Sequence, residues 1–350
     1  MRDEETQKRM EARNIILSDE SRTFEVCFYT FLSLPASAHA KDKKHINTYY
    51  YQGKKMEQLE MLKRKIDNEN ELKSLVRTMK TLASVSIREY GQMVGSLHEY
   101  HKAIEMGLEV VVKNIPEEAE FAQPKKNCLG AVIFGSEQGM CGRFNEIIAK
   151  FAIKNMDELE ILKENRTIMT LGDRVISHIE EEGETAEERF SYHGNQSGVT
   201  QIMLQVLTKI EEWRMQSEID QIVLFYNMPV SGSSYRPHML RLLPLDREWF
   251  QGLARKKWES RSIPTFTMDR DDLFSSLIRQ YLFFSLYLAL IESLASENAS
   301  RLASMQKAEK NIEERLNELR IQYHNMRQDS ITMELMDVVT GFEALTNKKR

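Results

Sequence analysis

NMRQDSITMELMDVVTGFEALT, residues 325–346, closes a run with no proline after Pro264 and one glycine, Gly341. With so few helix breakers inside it, the composition predicts a single helix from about Asp271 to Thr346. At 1.5 Å per residue such a helix would reach on the order of 110 Å. Ordinary globular helices hold roughly 11–12 residues. Its stripe reads Leu294, Asn298, Leu302, Met305, Ile312, Leu316, Leu319, Tyr323 and Met326. Ala295, Ala299, Ala303 and Ala308 fall between these and permit close helix approach. The charged remainder, including Lys307, Glu309, Lys310, Glu313 and Glu314, reads as a solvated face with local ion pairs. A rod of this kind suits a part that transmits force or spans a partner.

Working outward, the region from Met56 to about Val112 also lacks proline. Leu59, Leu62, Ile66, Leu72, Leu75, Met79, Leu82 and Ile87 recur largely in steps of three and four, the amphipathic-helix period. Gly91, Gly95 and Gly107 weaken its second half, and Pro116 and Pro124 punctuate the exit. From Cys128 the texture changes. LGAVIF (129–134), TIMTL (167–171) and QIVLFY (221–226) read as buried strands, with a further β-like segment at 239–243. Helical patterns at 145–154, 174–182 and 199–216 alternate with them.

The expected fold is therefore α/β plus long helices, with N- and C-terminal helices paired as an antiparallel coiled coil around an inserted Rossmann-like α/β domain. The boundaries expected are an extension at 1–55, a long helix at 56–114, the α/β domain at 124–265 and a second long helix at 270–346.

Bulk properties exclude several classes. Lys and Arg number 48 against 53 Asp and Glu, a net charge of −5, which offers no basic field for nucleic acid. The three cysteines, Cys27, Cys128 and Cys141, have neither CxxC nor zinc spacing and fit a reducing compartment. The most apolar run, Tyr281–Ile291, falls short of the roughly 20 residues of a membrane span and reads as a buried helical stretch. Thr23–Ala40 imitates a signal peptide, yet the acidic residues Asp3, Glu4, Glu5, Asp19 and Glu20 before it are unlike a basic leader. Residues 1–55 are expected to be a disordered extension, or to lie upstream of a true start at Met56.

No catalytic, cofactor-binding or metal constellation emerges. Gly135–Gly142 (GSEQGMCG) lies between a strand and a helix, where a phosphate could bind, but its spacing is neither GxGxxG nor GxxxxGK[ST]. A tight connection using glycine freedom is favoured. Cys141 reads as a small buried thiol at a helix start, and His98 and His101 as surface polarity, since two histidines alone make a weak metal case. The alternative kept open is an α/β nucleotide-binding enzyme with a coiled-coil arm.

Three stretches carry a resemblance to the gamma subunit of rotary F-type ATP synthases. IDNENELKSLVRTMKTLASV (66–85) resembles the family's first-helix signature. FGSEQGMCGRFN (134–145) is similar to its strand–turn motif ending GLCGxFN, and NMRQDSITMELMDVVTGFEAL (325–345) to its ARQ-x-xIT-x-E pattern. Together they span Met56 to about Asn347, in order. MKTLASVSIREY and FGSEQGMCG are closer to the alternate, often sodium-associated branch.

The resemblance implies a non-catalytic central shaft turning inside a ring of three alpha and three beta subunits, with catalytic residues on beta. It implies an α/β foot against epsilon and the membrane c-ring, and a peripheral place on the cytoplasmic face of a bacterial or archaeal membrane through the complex. Matched residue by residue, Arg77, Met79 and Lys80 face beta. Arg327, Gln328, Thr332 and Glu334 fall where the ring grips the terminal helix. The chain departs from the family at Phe342-Glu343, which replaces a small Ala-Ala pair, and in residues 1–55, which have no counterpart. A plastid-type dithiol insert is lacking, so thiol switching is not expected.

Overall fold

The computed structural model describes residues 39–113, 128–192, 196–216, 219–231, 234–245, 247–255 and 265–346. The signal-like run ahead of His39, Cys27, Pro116 and Pro124 lie outside these. Two very long helices, α1 (His39–Val112) and α6 (Arg270–Thr346), each contribute to two compact units. One unit takes α1 through Asn70 and α6 from Arg315; the other is Glu71–Glu314.

The Glu71–Glu314 unit holds strands β1 (Leu129–Phe134), β2 (Arg166–Leu171), β3 (Glu188–Phe190), β4 (Gln221–Ser231) and β5 (Ser234–Leu243). It also holds helices α2 (Phe144–Glu158), α3 (Ile176–Glu181), α4 (Gln196–Gln216) and α5 (Arg247–Arg255). The sheet order is β3–β2–β1–β4–β5. The first four strands run parallel, and β5 returns antiparallel on β4.

β1 is buried along its whole length because both faces of the sheet are covered. Leu129, Ala131 and Ile133 pack with Ile148, Ala152 and Met156 of α2. Val132 and Phe134, pointing the other way, join Met203 and Ile210 of α4 and Leu286 and Leu290 of α6. At Gly130 the Trp213 side chain of α4 packs directly on the strand. A Cβ there would sit 2.8 Å from both Ile222 and Trp213 side-chain atoms. The apolar run Tyr281–Ile291 is thus absorbed by the core, although α6 by length and composition could cross a membrane.

β4 and β5 run longer than their apolar segments suggest. Polar residues and two prolines continue the ladder to Ser231↔Ser234, and Pro237 is accommodated because β5 is an edge strand. The short β3 and α5 were not anticipated from the sequence, although REWFQGLAR in α5 is amphipathic at the helical period.

In each unit α1 and α6 pair antiparallel. In the first, Lys55 meets Asp329 (3.6 Å) and Glu69 meets Arg315 (3.0 Å). In the second, Lys73 meets Glu313 (2.7 Å) and Lys80 meets Glu309 (2.6 Å). Rising numbers on α1 meet falling numbers on α6.

The α1 contact seam keeps Leu59, Leu62, Ile66, Met79 and Ile87 of the expected apolar stripe and departs from it at three positions. From Lys73 the covered positions are Val76, Met79, Lys80, Ala83, Ser86, Ile87, Tyr90, Met93, Val94 and Leu97, within which Val76, Lys80, Ala83, Ile87, Tyr90, Val94 and Leu97 alternate by three and four. Leu72, Leu75 and Leu82, placed in the stripe from the sequence, are exposed. Lys73 and Lys80 take seam positions because their aliphatic stems lie along the partner helix while the ammonium groups reach carboxylates. Glu309 and Glu313 likewise reach across to α1 rather than forming local pairs. Only Lys310–Glu314 (3.8 Å) is local. The helix also begins at His39, not Met56, so part of the stretch expected to be disordered is helical. Once a helix is nucleated, each added residue gains a hydrogen bond at small cost.

Candidate functional site

Two constructions in the Glu71–Glu314 unit bear on function. The first joins the β1–α2 turn to α6. Glu297 and Arg301 of α6 form a buried i,i+4 pair at 2.6 Å. Arg301 Nη2 also donates to the carbonyls of Gln138 (3.1 Å) and Gly139 (3.5 Å). Ser300 Oγ donates to the Cys141 carbonyl at 2.6 Å. From the other side, the Tyr192 hydroxyl lies 3.1 Å from Glu297 Oε2, and the Tyr192 amide donates to Glu137 at 2.7 Å. Burial pushes the Glu297 carboxyl up, and Arg301 opposes that shift.

The turn closes tightly on the helix. Gly142 has φ +62°, and a Cβ there would come within 2.9 Å of Ser304 Oγ. Met140 also has positive φ (63°) and is exposed.

This geometry decides the reading of Gly135–Gly142. The Gly135 amide donates to Leu171 O (2.7 Å) and the Ser136 amide to Asn145 Oδ1 (2.9 Å). Three of the turn's carbonyls are held by Arg301 and Ser300. These groups clamp the turn to α6. The Cys141 thiol is buried and its pKa raised by that burial, the opposite of an activated nucleophile. His98 and His101 go separate ways, to Glu292 (4.0 Å) and Glu105 (3.7 Å). Among the described residues no cluster of three metal-capable side chains occurs.

The second construction surrounds Glu309. Its carboxylate accepts from Lys80 Nζ at 2.6 Å and Arg77 Nε at 2.7 Å. Glu313 accepts from Lys73 and lies 3.6 Å from Arg77 Nη2. The bond from Lys80, and then that from Arg77, holds the Glu309 carboxyl down at about 2.

Of the residues singled out from the sequence, Arg77 and Lys80 come together on Glu309, with half-buried Met79 between them in the chain. Arg327, Gln328, Thr332 and Glu334 belong to the other unit and are exposed. There the Thr332 hydroxyl donates to the Gln328 carbonyl (2.9 Å). The end of α6 is apolar and uncovered. Leu335, Met336, Val338 and Phe342 are 61–71 % exposed, and Glu343 is exposed beside them.

Sequence reasoning missed Glu297, Arg301 and Tyr192. A signal did exist: two opposite charges four apart among the small residues Ala295, Ser296, Ala299 and Ser300, inside an otherwise buried helix.

The sequence model of the ATP synthase family matches residues 58–345. The ATP synthase gamma chain of Nautilia profundicola is 24 % identical over 300 residues, covering 83 % of this chain and 99 % of the relative. That of Syntrophus aciditrophicus is 26 % identical over 292 residues, with the same coverage of 83 % and 99 %. A chain of the Euglena gracilis mitochondrial ATP synthase, solved as OSCP/F1/c-ring in rotational state 3, matches with a TM-score of 0.57 at 16 % identity. It covers 84 % of this chain and 96 % of that one, a likeness of fold. With paired long helices, a clamped α/β domain and a family match across most of its length, the chain belongs to the ATP synthase family, as a gamma subunit.

Proposed function

We propose that this chain is the central rotary shaft of an F-type ATP synthase. It couples ion flow through the membrane ring to nucleotide-state changes in the alpha–beta ring. The observation that carries the reading is the uncovered apolar end of α6, where Leu335, Met336, Val338 and Phe342 face outward. Such clusters mark interaction sites on soluble proteins. In a shaft this end turns within a sleeve supplied by the ring. The Glu297–Arg301 clamp suits the same role, because it ties the α/β domain to the helix that must carry its torque.

The chain itself is non-catalytic, and the catalytic residues reside on beta. Its partners are alpha, beta, epsilon and the c-ring, and it is a peripheral component of a membrane complex. The cytoplasmic face of a bacterial or archaeal membrane is the placement we propose. Arg77, Met79 and Lys80 contact beta, and Arg327, Gln328, Thr332 and Glu334 contact the ring nearer the end of α6.

The test is purification of the native complex, with co-elution of this chain and the larger subunits expected. Met79→Lys would add a charge at the beta-facing surface and is expected to impair ATP-driven ion pumping more than folding. Unaltered pumping would remove Met79 from the contact. Micromolar ATP binding by the chain alone, measured by titration calorimetry, would favour a nucleotide-binding enzyme instead.

A further inference from the structure

The seam of α6 in the Glu71–Glu314 unit runs through Leu302, Met305, Glu309 and Ile312. Glu309 is the one carboxylate among these apolar side chains, and its own side chain is only 15 % exposed. Opposite it lies Lys80, also at a seam position of α1. An apolar residue could fill such a place, and ion pairs whose cations reach solvent, here Arg77 at 58 % and Lys80 at 35 % exposed, contribute little to stability. A charged seam residue has a different use. Apolar seams pair almost equally well in shifted settings, whereas one polar contact in the seam admits a single register, at a cost in stability.

The geometry supports such a key. One carboxylate binds two donors from successive turns of α1, Arg77 Nε at 2.7 Å and Lys80 Nζ at 2.6 Å, a two-point contact that fixes rotation as well as height. Glu313 continues it one turn along, through Lys73 at 2.7 Å.

We propose that Glu309 is the positioning residue of the shaft. It sets which turn of α1 lies against which turn of α6 at the level of Met79, so that torque on one helix passes to the other without slip. This rests on the shaft reading above.

The experiment compares Glu309→Leu and Glu309→Asp in the assembled complex, reading ions pumped per ATP hydrolysed, with Tm of the purified chain as control. Glu309→Leu is expected to keep or raise Tm while pumping per ATP falls several-fold. Glu309→Asp, which keeps the charge, is expected to stay near the parent in both. Parent-like pumping by Glu309→Leu would overturn the proposal, since packing alone would then set the pairing. A charge exchange, Lys80→Glu with Glu309→Lys, should recover the Tm lost in Glu309→Lys alone. No recovery would overturn direct pairing. A parent chain that fails to co-purify with alpha and beta would sink the shaft reading instead, leaving the charge exchange in the isolated chain to decide the contact.

Discussion

Along α6, Leu282, Leu286, Leu290, Ile291 and Leu294 are at most 8 % exposed, whereas Leu335, Met336, Val338 and Phe342 are 61–71 % exposed. The side chains are of the same kind and the helix is the same. The first stretch is covered by the sheet and α4 of its own chain. The second has no cover among the described residues. Apolar character alone therefore does not separate a residue that folds the protein from one left exposed. The cover does.

The sharpest way to break this contrast is to attack the clamp beside the buried stretch. Arg301→Ala would strand the buried Glu297 carboxylate and release two carbonyls of the β1–α2 turn, and should destabilise by about 3–5 kcal/mol in denaturant unfolding. A loss below about 1 kcal/mol would mean that Glu297 is reached by water. Leu286→Ala comes next. It empties a fully buried site and should cost about 2–5 kcal/mol in the same assay.

At the other end of α6, Val338→Asp should change the stability of the isolated chain by no more than about 0.5 kcal/mol. Its effect should appear in assembly with the alpha–beta ring, read by co-purification yield. Equal yields for Val338→Asp and the parent would show that this end is not gripped.

The smallest effect concerns pH. The Glu309 carboxyl is held from its ordinary 4.5 down to about 2, chiefly by the bond from Lys80. A depressed carboxylate contributes stability that is fully present above pH 4.5 and lost as pH falls through about 2. The Tm difference between the parent and Glu309→Gln should hold at neutral pH and shrink between those two values. A difference that has vanished before pH 4.5 would show that the ion cluster does not persist in solution.

Much of the architecture was legible before any coordinates. LGAVIF and QIVLFY are continuous apolar runs that become doubly covered strands, because burial on both faces removes the alternation a half-exposed strand would show. The two long helices followed from sparse breakers and the three-and-four period. The β4–β5 extension did not, because its polar residues are held by backbone pairing that has no compositional mark. Part of the seam was misplaced by the apolar period itself. Leu72, Leu75 and Leu82 repeat as regularly as the true contact positions, and only the partner helix selects between the two stripes.

The same division applies to the candidate functional residues. The motifs around Met79, Gly135–Gly142 and Arg327–Glu334 were readable as short strings, since a family's local spacing survives in one dimension. Glu297 meets Tyr192, and Arg301 meets the β1–α2 turn, across separations of more than a hundred residues, and Glu309 meets Lys80 across more than two hundred. By itself the sequence determined the two long helices, the apolar strands β1, β2 and β4 and the family, because these depend on local period and motif. Tertiary structure alone decided which of two apolar stripes forms the seam, which charges pair across it and which turn clamps the shaft. Those choices depend on what lies opposite, and a chain read residue by residue does not contain its own opposite face.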